Sequence, residues 1–218
     1  MTEKVIIFDF DGTIADTLDT VVNISNRLAA NFGYKQTSQE EIAYLKNLNS
    51  REIIKQSGIS IFKVPYLIRK VKAELNKEIK NLKPITGIKE ALTQIKNQNH
   101  QLLILTSNSK ENVISFLEEN DMQNLFEFIV SGATLFGKSR IINNILKQEN
   151  LNPQQVFYVG DETRDIEAAR KSGIKVIAVS WGFNSKKVLA EQNPDYLIHH
   201  PQELIYLIES LESSVYKD

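Results

Sequence analysis

Asp9 and Asp11 stand two residues apart in Phe8-Asp9-Phe10-Asp11-Gly12-Thr13, directly after the apolar run Val5 to Phe8. Paired carboxylates repel one another unless they share a cation or a proton, a cost that a purely structural loop has no reason to carry. Asp11-Gly12 alone would pass for a turn, but that reading leaves Asp9 unexplained. A second acidic group follows another apolar run, in Val159-Gly160-Asp161-Glu162-Thr163-Arg164-Asp165. With a helix beginning near Thr163, Asp161 at the strand mouth and Asp165 one turn later face the same cavity. Carboxylates from two strand ends suit a hard cation, and Mg²⁺ is the expected one because substrate and water complete its shell. N-capping by Asp161 and dipole pairing by Asp165 is the competing structural account.

Two further segments favour phosphate. Leu105-Thr106-Ser107-Asn108-Ser109 ends an apolar run and opens a helix, offering a hydroxyl and free amides to an anion, although capping explains any one of these residues. Lys138, ahead of the helical segment Ser139 to Lys147, offers an ammonium. The same lysine belongs to a rival pattern, since Gly132 to Ser139 matches the nucleotide-binding loop G-x-x-x-x-G-K-[ST]. A nucleotide triphosphatase would use Lys138, Ser139 and Asp161 but leaves Asp9, Asp11, Thr106 and Asp165 without a role.

These residues need a frame that brings strand ends together. Apolar runs recur at Val5 to Phe8, Leu102 to Leu105, Phe126 to Val130, Val156 to Val159, Val176 to Val179 and, more weakly, Tyr196 to Ile198. Each is followed by a turn signal and a helical pattern, which calls for a parallel sheet. The runs are apolar at every position, so both faces are expected to be covered, giving an α/β doubly wound sheet. Between Ala15 and Ile85 only helices are expected. The first runs from Leu18 to Phe32, with Thr17 as N-cap and Gly33 as stop, and Ser38-Gln39-Glu40-Glu41 reads as a capping box. The last begins at Pro65 and carries the stripe Val64, Leu67, Ile68, Val71, Leu75, Ile79 and Leu82, with Pro84 and Gly87 marking the return to the sheet. Its polar side, with Lys63, Arg69, Lys70, Lys72, Lys77, Lys80 and Lys83, is expected to be solvated, because no Trp or Phe lies along the stripe to anchor it in a membrane surface.

Composition narrows the function classes. The 218 residues are 42% hydrophobic and 24% charged, with net charge -1 and no cysteine. Disulfides, thiolate metal sites and cysteine nucleophiles are therefore excluded. The longest apolar runs fall far short of the roughly 18 residues of a membrane span, and no signal-like segment precedes Val5, so a cytoplasmic protein without a membrane partner is expected. Twenty lysines against six arginines at balanced charge make nucleic acid an unexpected partner. His100, His199 and His200 read as surface histidines, and Trp181 as packing at the site's rim. Arg51, in the polar break Asn47 to Arg51, reads either as an exposed helix-start residue or as the partner of a substrate carboxylate.

Taken in order, Asp9-Phe10-Asp11-Gly12-Thr13, Thr106, Lys138 and Gly160-Asp161 through Asp165 resemble the four motifs of the haloacid dehalogenase superfamily, and the chain is similar to its phosphatase branch with a helical cap. The resemblance implies a Rossmann-like core at 1–15 and 85–218 and a small inserted cap at 16–84. It implies Asp9 as nucleophile, Asp11 as acid and base, and Thr106 and Lys138 on the phosphoryl oxygens. Gly12, Ser107 and Asn108, with Arg51, would contact a small phosphorylated substrate. Asp9, Asp161, the backbone carbonyl of Asp11, and Asp165 through water would hold Mg²⁺, Asp165 alternatively orienting Lys138. A phosphosugar mutase would use the same two aspartates. The Ser139-Arg140 pair after Lys138 departs from the proline often found there, which leaves the substrate open.

Overall fold

The computed structural model describes residues 3–132 and 137–213. One sheet of six parallel strands carries the fold: β1 (Val5–Phe8), β2 (Gln101–Leu105), β3 (Phe128–Val130), β4 (Val156–Gly160), β5 (Lys175–Val179) and β6 (Tyr196–Ile198). Their order is β3-β2-β1-β4-β5-β6. The chain moves outward from β1 to β3 and then crosses to β4 on the other side, so the topological switch falls at β1. Strand 3 is shorter than the run from Phe126 suggests. Phe126 leaves the strand direction to meet Phe8 edge-on, with ring centroids 6.4 Å apart.

Between β1 and β2 come α1 (Leu18–Phe32), α2 (Gln39–Leu45), α3 (Ser50–Gln56), α4 (Val64–Glu78) and α5 (Ile88–Asn97). The rest of the chain adds α6 (Lys110–Glu119), α7 (Lys138–Gln148), α8 (Thr163–Lys171), α9 (Lys186–Glu191) and α10 (Gln202–Ser213). Alternate strand residues point to opposite faces and build two cores. Ile6, Phe8, Leu102, Ile104, Phe157 and Val159 pack with Leu92, Phe116 and Leu204 of α5, α6 and α10. Val5, Ile7, Leu103, Leu105, Val156 and Tyr158 pack with Ile142, Ile166 and Leu189 of α7, α8 and α9. Both faces are covered, as continuous apolar strands require. Among the described residues no helix is long and apolar enough to cross a membrane.

Helices α1 to α4 form the inserted segment. Gly33 ends α1 in the left-handed conformation at φ 75°, its N–H donating to the Ala29 carbonyl at 2.9 Å. Thr17 precedes α1, but its side chain is buried and makes no cap. The capping box of α2 is present, Ser38 accepting from the Glu41 N–H at 3.2 Å and donating its own N–H to Glu41 at 2.7 Å. The stripe of α4 packs on α1 and sinks along its length, from half-buried Val64 and Leu67 to Leu75, Ile79 and Leu82 at 3 to 6% exposure. Where the segment leaves and rejoins the sheet, Ala15 bridges Pro84, the Asp16 N–H donates to Lys83 at 2.9 Å and the Ile85 N–H to Ile14 at 2.8 Å.

His100 is not at the surface. It is 2% exposed and accepts the Lys4 N–H at Nδ1, because the paired starts of β1 and β2 close over it. Phe10, between the two aspartates, is fully buried and meets Phe116 edge-on at 5.1 Å. Phe10→Ala is expected to cost about 3 to 5 kcal/mol, and Phe10→Leu under about half of that, read as shifts in a urea unfolding midpoint.

Candidate active site

Every strand end near the switch point delivers a polar side chain to one place. The Asp9 N–H still donates to Val159 at 2.8 Å and the Thr106 N–H to Val130 at 3.0 Å, so both residues are held in sheet register one step past β1 and β2. Asp9 Oδ2 lies 2.6 Å from Lys138 Nζ, and its Oδ1 accepts the Phe10 N–H at 2.8 Å. Lys138 is the first residue of α7, where its side chain crosses the Tyr158 ring and reaches Asp165 Oδ1 at 2.7 Å. Asp165 sits in the first turn of α8, its Oδ2 accepting the Glu162 N–H at 3.1 Å. Asp161, at the end of β4, accepts from the Thr13 hydroxyl and the Phe183 N–H, each at 2.7 Å.

Carboxylate oxygens of Asp9, Asp161 and Asp165 lie within 4.8 Å of one another. Space for them is left by missing side chains. A Cβ on Gly12 or Gly182 would collide with the Asp161 carboxylate, and one on Gly160 would meet that of Asp165 at 2.5 Å. Burial pushes Asp9 and Asp161 above the usual carboxylate range, against the pull of Lys138 at Asp9 and with the neighbouring acids adding to it at both. For Lys138 burial favours the neutral amine, but Asp165 and Asp9 outweigh it and raise the lysine. Three buried carboxylates around one ammonium are therefore under-compensated, and an all-oxygen cradle of this kind fits a divalent cation.

Asp11 is treated differently. Its carboxylate stands outside that group, both oxygens accepting from Asn108 Nδ2 at 3.2 Å. Burial raises it to about 6, with the Asn108 hydrogen bond pulling the other way. Thr106 is buried and its Oγ1 accepts the Asn108 N–H at 2.9 Å, which folds the Thr106–Ser109 loop around the site. The structure thus brings Asp9, Asp11, Gly12, Thr106, Asn108, Lys138, Asp161 and Asp165 together, and Ser107 borders them. Arg51 is more peripheral. It is 67% exposed, stands 3.9 Å from Glu167, and borders a cleft of about 30 Å³ with Lys138, Arg164 and Lys171. Of the nucleotide-loop reading, Ala133 to Phe136 lie outside the described residues. Lys138, which that reading also needs, is committed to Asp9 and Asp165.

Several participants were not singled out from the sequence. Lys72, assigned there to a solvated face, is half-buried and donates to the Ser107 carbonyl, and burial holds its amine below the usual lysine range. Arg164, its side chain 13% exposed, pairs with Glu162, whose other oxygen accepts from Ser50 of α3 at 3.0 Å. Thr13 carries a signal in its place beside Asp11-Gly12, and Arg164 in being the one cation of an acidic run. Lys72 carries none beyond its helical face. Trp181 is rim packing as read, its Nε1 donating to the Thr13 carbonyl at 3.1 Å.

Fold and site together define a doubly wound α/β enzyme with an acidic centre at the carboxyl edge of its sheet. The sequence pattern of the haloacid dehalogenase-like hydrolases matches residues 6–179. A phosphoglycolate phosphatase of Synechococcus elongatus is 36% identical over 95% of this chain and 98% of its own length. One from Aquifex aeolicus is 23% identical over 95% and 97%. A predicted phosphatase of Clostridium acetobutylicum shares the fold at a TM-score of 0.81 and 20% identity, covering 96% of this chain and 100% of that one. The chain belongs to the haloacid dehalogenase-like hydrolase family.

A bound cation that relieves the carboxylate repulsion stabilises the folded state by mass action. Titrating Mg²⁺ is expected to raise the melting temperature. In Gly182→Ala, where a methyl displaces the Asp161 carboxylate, a folded protein is expected to gain less than half as much.

Proposed function

We propose that this enzyme, a phosphatase of the haloacid dehalogenase-like family, hydrolyses a small phosphomonoester of the phosphoglycolate type through an aspartyl-phosphate. The observation that carries the reading is the Asp9 carboxylate, oriented by Lys138 at 2.6 Å beside a second aspartate in a different environment. Asp9 Oδ attacks phosphorus while the bond to the leaving alcohol oxygen breaks, and Asp11 gives that oxygen its proton. Water then attacks the aspartyl-phosphate as Asp11 takes a proton back, releasing phosphate and restoring Asp9. Lys138 and the Thr106 hydroxyl place fixed polarity where the transition state spreads its charge. Asp9, Asp161 and the backbone carbonyl of Asp11, with Asp165 behind them, would hold Mg²⁺. The cation supplies charge that lets a carboxylate approach a phosphate dianion.

Residues 16–84 would act as a cap, hinged where Ala15 and Pro84 cross. In this arrangement the segment between α2 and α3 is tied to the sheet domain, Asn184 Nδ2 donating to Leu48 at 2.9 Å and the Ser185 hydroxyl to Asn47 at 2.6 Å. Lys72 and Arg51 are the cap cations nearest the site, and they favour a substrate with a second anionic group. The name of the Synechococcus relative supports phosphoglycolate as that substrate.

Three measurements test this reading. Asp9→Asn keeps the shape and removes the nucleophile, so Mg²⁺-dependent phosphate release should fall by about 10³-fold or more with the melting temperature nearly unchanged. In a screen of small phosphomonoesters, carboxylated ones should lead. Production of an isomeric phosphosugar without free phosphate would instead make the enzyme a mutase.

The third concerns pH. An acid raised to about 6 holds its proton below that value and loses it above, so the proton donor Asp11 is lost as pH rises through about 6. Asn108 holds Asp11 down, and its removal lets the carboxyl keep its proton longer. The alkaline limb of kcat for an alkyl phosphate is therefore expected to move to higher pH in Asn108→Ala. A limb that stays in place or moves down would count against Asp11 as the acid.

A further inference from the structure

Asn112 lies in the first turn of α6 and is 1% exposed, a primary amide inside a helix whose other buried residues, Val113, Phe116 and Leu117, are apolar. A sealed amide must find partners for its oxygen and its NH₂ group, and those partners show its use. Asn112 Nδ2 donates to Asn108 Oδ1 at 2.9 Å. Asn112 Oδ1 accepts from Nδ2 of Asn76, an exposed residue of α4. Asn108 in turn points Nδ2 at both oxygens of Asp11.

The direction of this chain is fixed at its Asn108 end. Asn108 Oδ1 also accepts the Ser109 N–H at 2.8 Å, and a backbone N–H cannot accept in return, so Asn108 must turn its NH₂ toward Asp11. Asn112 therefore has to offer its own NH₂ to Asn108 and its oxygen to Asn76. Each amide donates to the next, and the last donor meets a carboxylate. Lys72, one turn before Asn76 on the same side of α4, grips the Ser107 carbonyl, so the helix touches the Thr106–Ser109 loop and its support at two successive turns.

We infer that Asn112 is a positioning residue for the leaving-group acid. Acting through Asn108, it fixes where the Asp11 carboxyl points. The inference rests on Asp11 being the acid of the proposed reaction. Asn112 itself touches neither substrate nor the reacting atoms. Asn76 is exposed and water can replace it, whereas no water replaces the donor between two buried amides.

The test compares phenyl phosphate with p-nitrophenyl phosphate, which are alike in size but differ in how much their leaving oxygen needs a proton. In Asn112→Asp the side chain keeps its shape and adds an acid near a helix N-terminus, which favours the helix, but it has no donor for Asn108. Its kcat for phenyl phosphate is expected to fall about 10-fold, with KM and the p-nitrophenyl rate within about 3-fold of wild type. Asn112→Leu should show the same selectivity, and Asn76→Ala should change either rate by less than about 3-fold. Equal losses on both substrates in Asn112→Asp, or no loss on either, overturn the inference. Asp11→Asn is the control. Selective loss in Asp11→Asn without selective loss in Asn112→Asp sinks the relay alone, while a control that spares phenyl phosphate sinks the acid assignment and the relay with it.

Discussion

Lys138 carries the arrangement on which the rest depends. With Asp9 and Asp165 at 2.6 and 2.7 Å, all three side chains at 4% exposure or less, it is the cation directly paired to a group of three buried acids. Desolvating such groups costs more than one ammonium returns, so this is no source of stability. The sheet supplies it instead, from two apolar faces whose residues alternate along each strand. Polar strain is confined to the carboxyl edge, where β1, β2 and β4 end and helices α6, α7 and α8 begin. The residual negative charge there is what a cation and a phosphoryl group, bound together, can share.

Much of this was legible in the sequence because it depends on short-range patterns. A run such as Val156 to Val159 is apolar at every position only when both faces are covered, and the residue after it is then at the site edge. Asp9 and Thr106 were found by that rule and Asp161 one residue further on, Asp11 and Asp165 by their spacing from these, and Lys138 by its place at a helix start. The capping box at Ser38 and the glycine stop at Gly33 are equally local. What was missed depends on packing between elements distant in the chain. The 3.6-residue period shows which face of α4 is apolar, not what its other face meets, so Lys72 passed for a solvated lysine although it reaches Ser107. His100 looked exposed in a polar stretch, and only the pairing of β1 with β2 buries it. Thr17 sits at a cap position but is buried without capping, which helix rules do not foresee.

Gly12, Gly160 and Gly182 make the same point about close approach. Gly12 alone, at φ 77°, would be assigned to a turn. The other two show no such conformation, and their reason is the carboxylate that occupies the place of each missing Cβ. Two acids can come this near to the backbone of separate loops only where side chains are absent, so the metal-sized gap is shaped by what the chain leaves out.

Asp9 and Asp11 are chemically identical and two residues apart, yet the structure gives them different prospects. Phe10 between them turns into the core against Phe116 and fixes the loop, so both carboxyls face the cavity. Asp9 then meets an ammonium, Asp11 an amide. Burial raises both carboxyls, Asp9 to about 7 and Asp11 to about 6, against the pull of Lys138 at one and of Asn108 at the other, and a cation held among Asp9, Asp161 and Asp165 would favour the anion at Asp9. The proposed division between attacking group and acid therefore draws on their different partners and on that cation, not on the aspartates themselves.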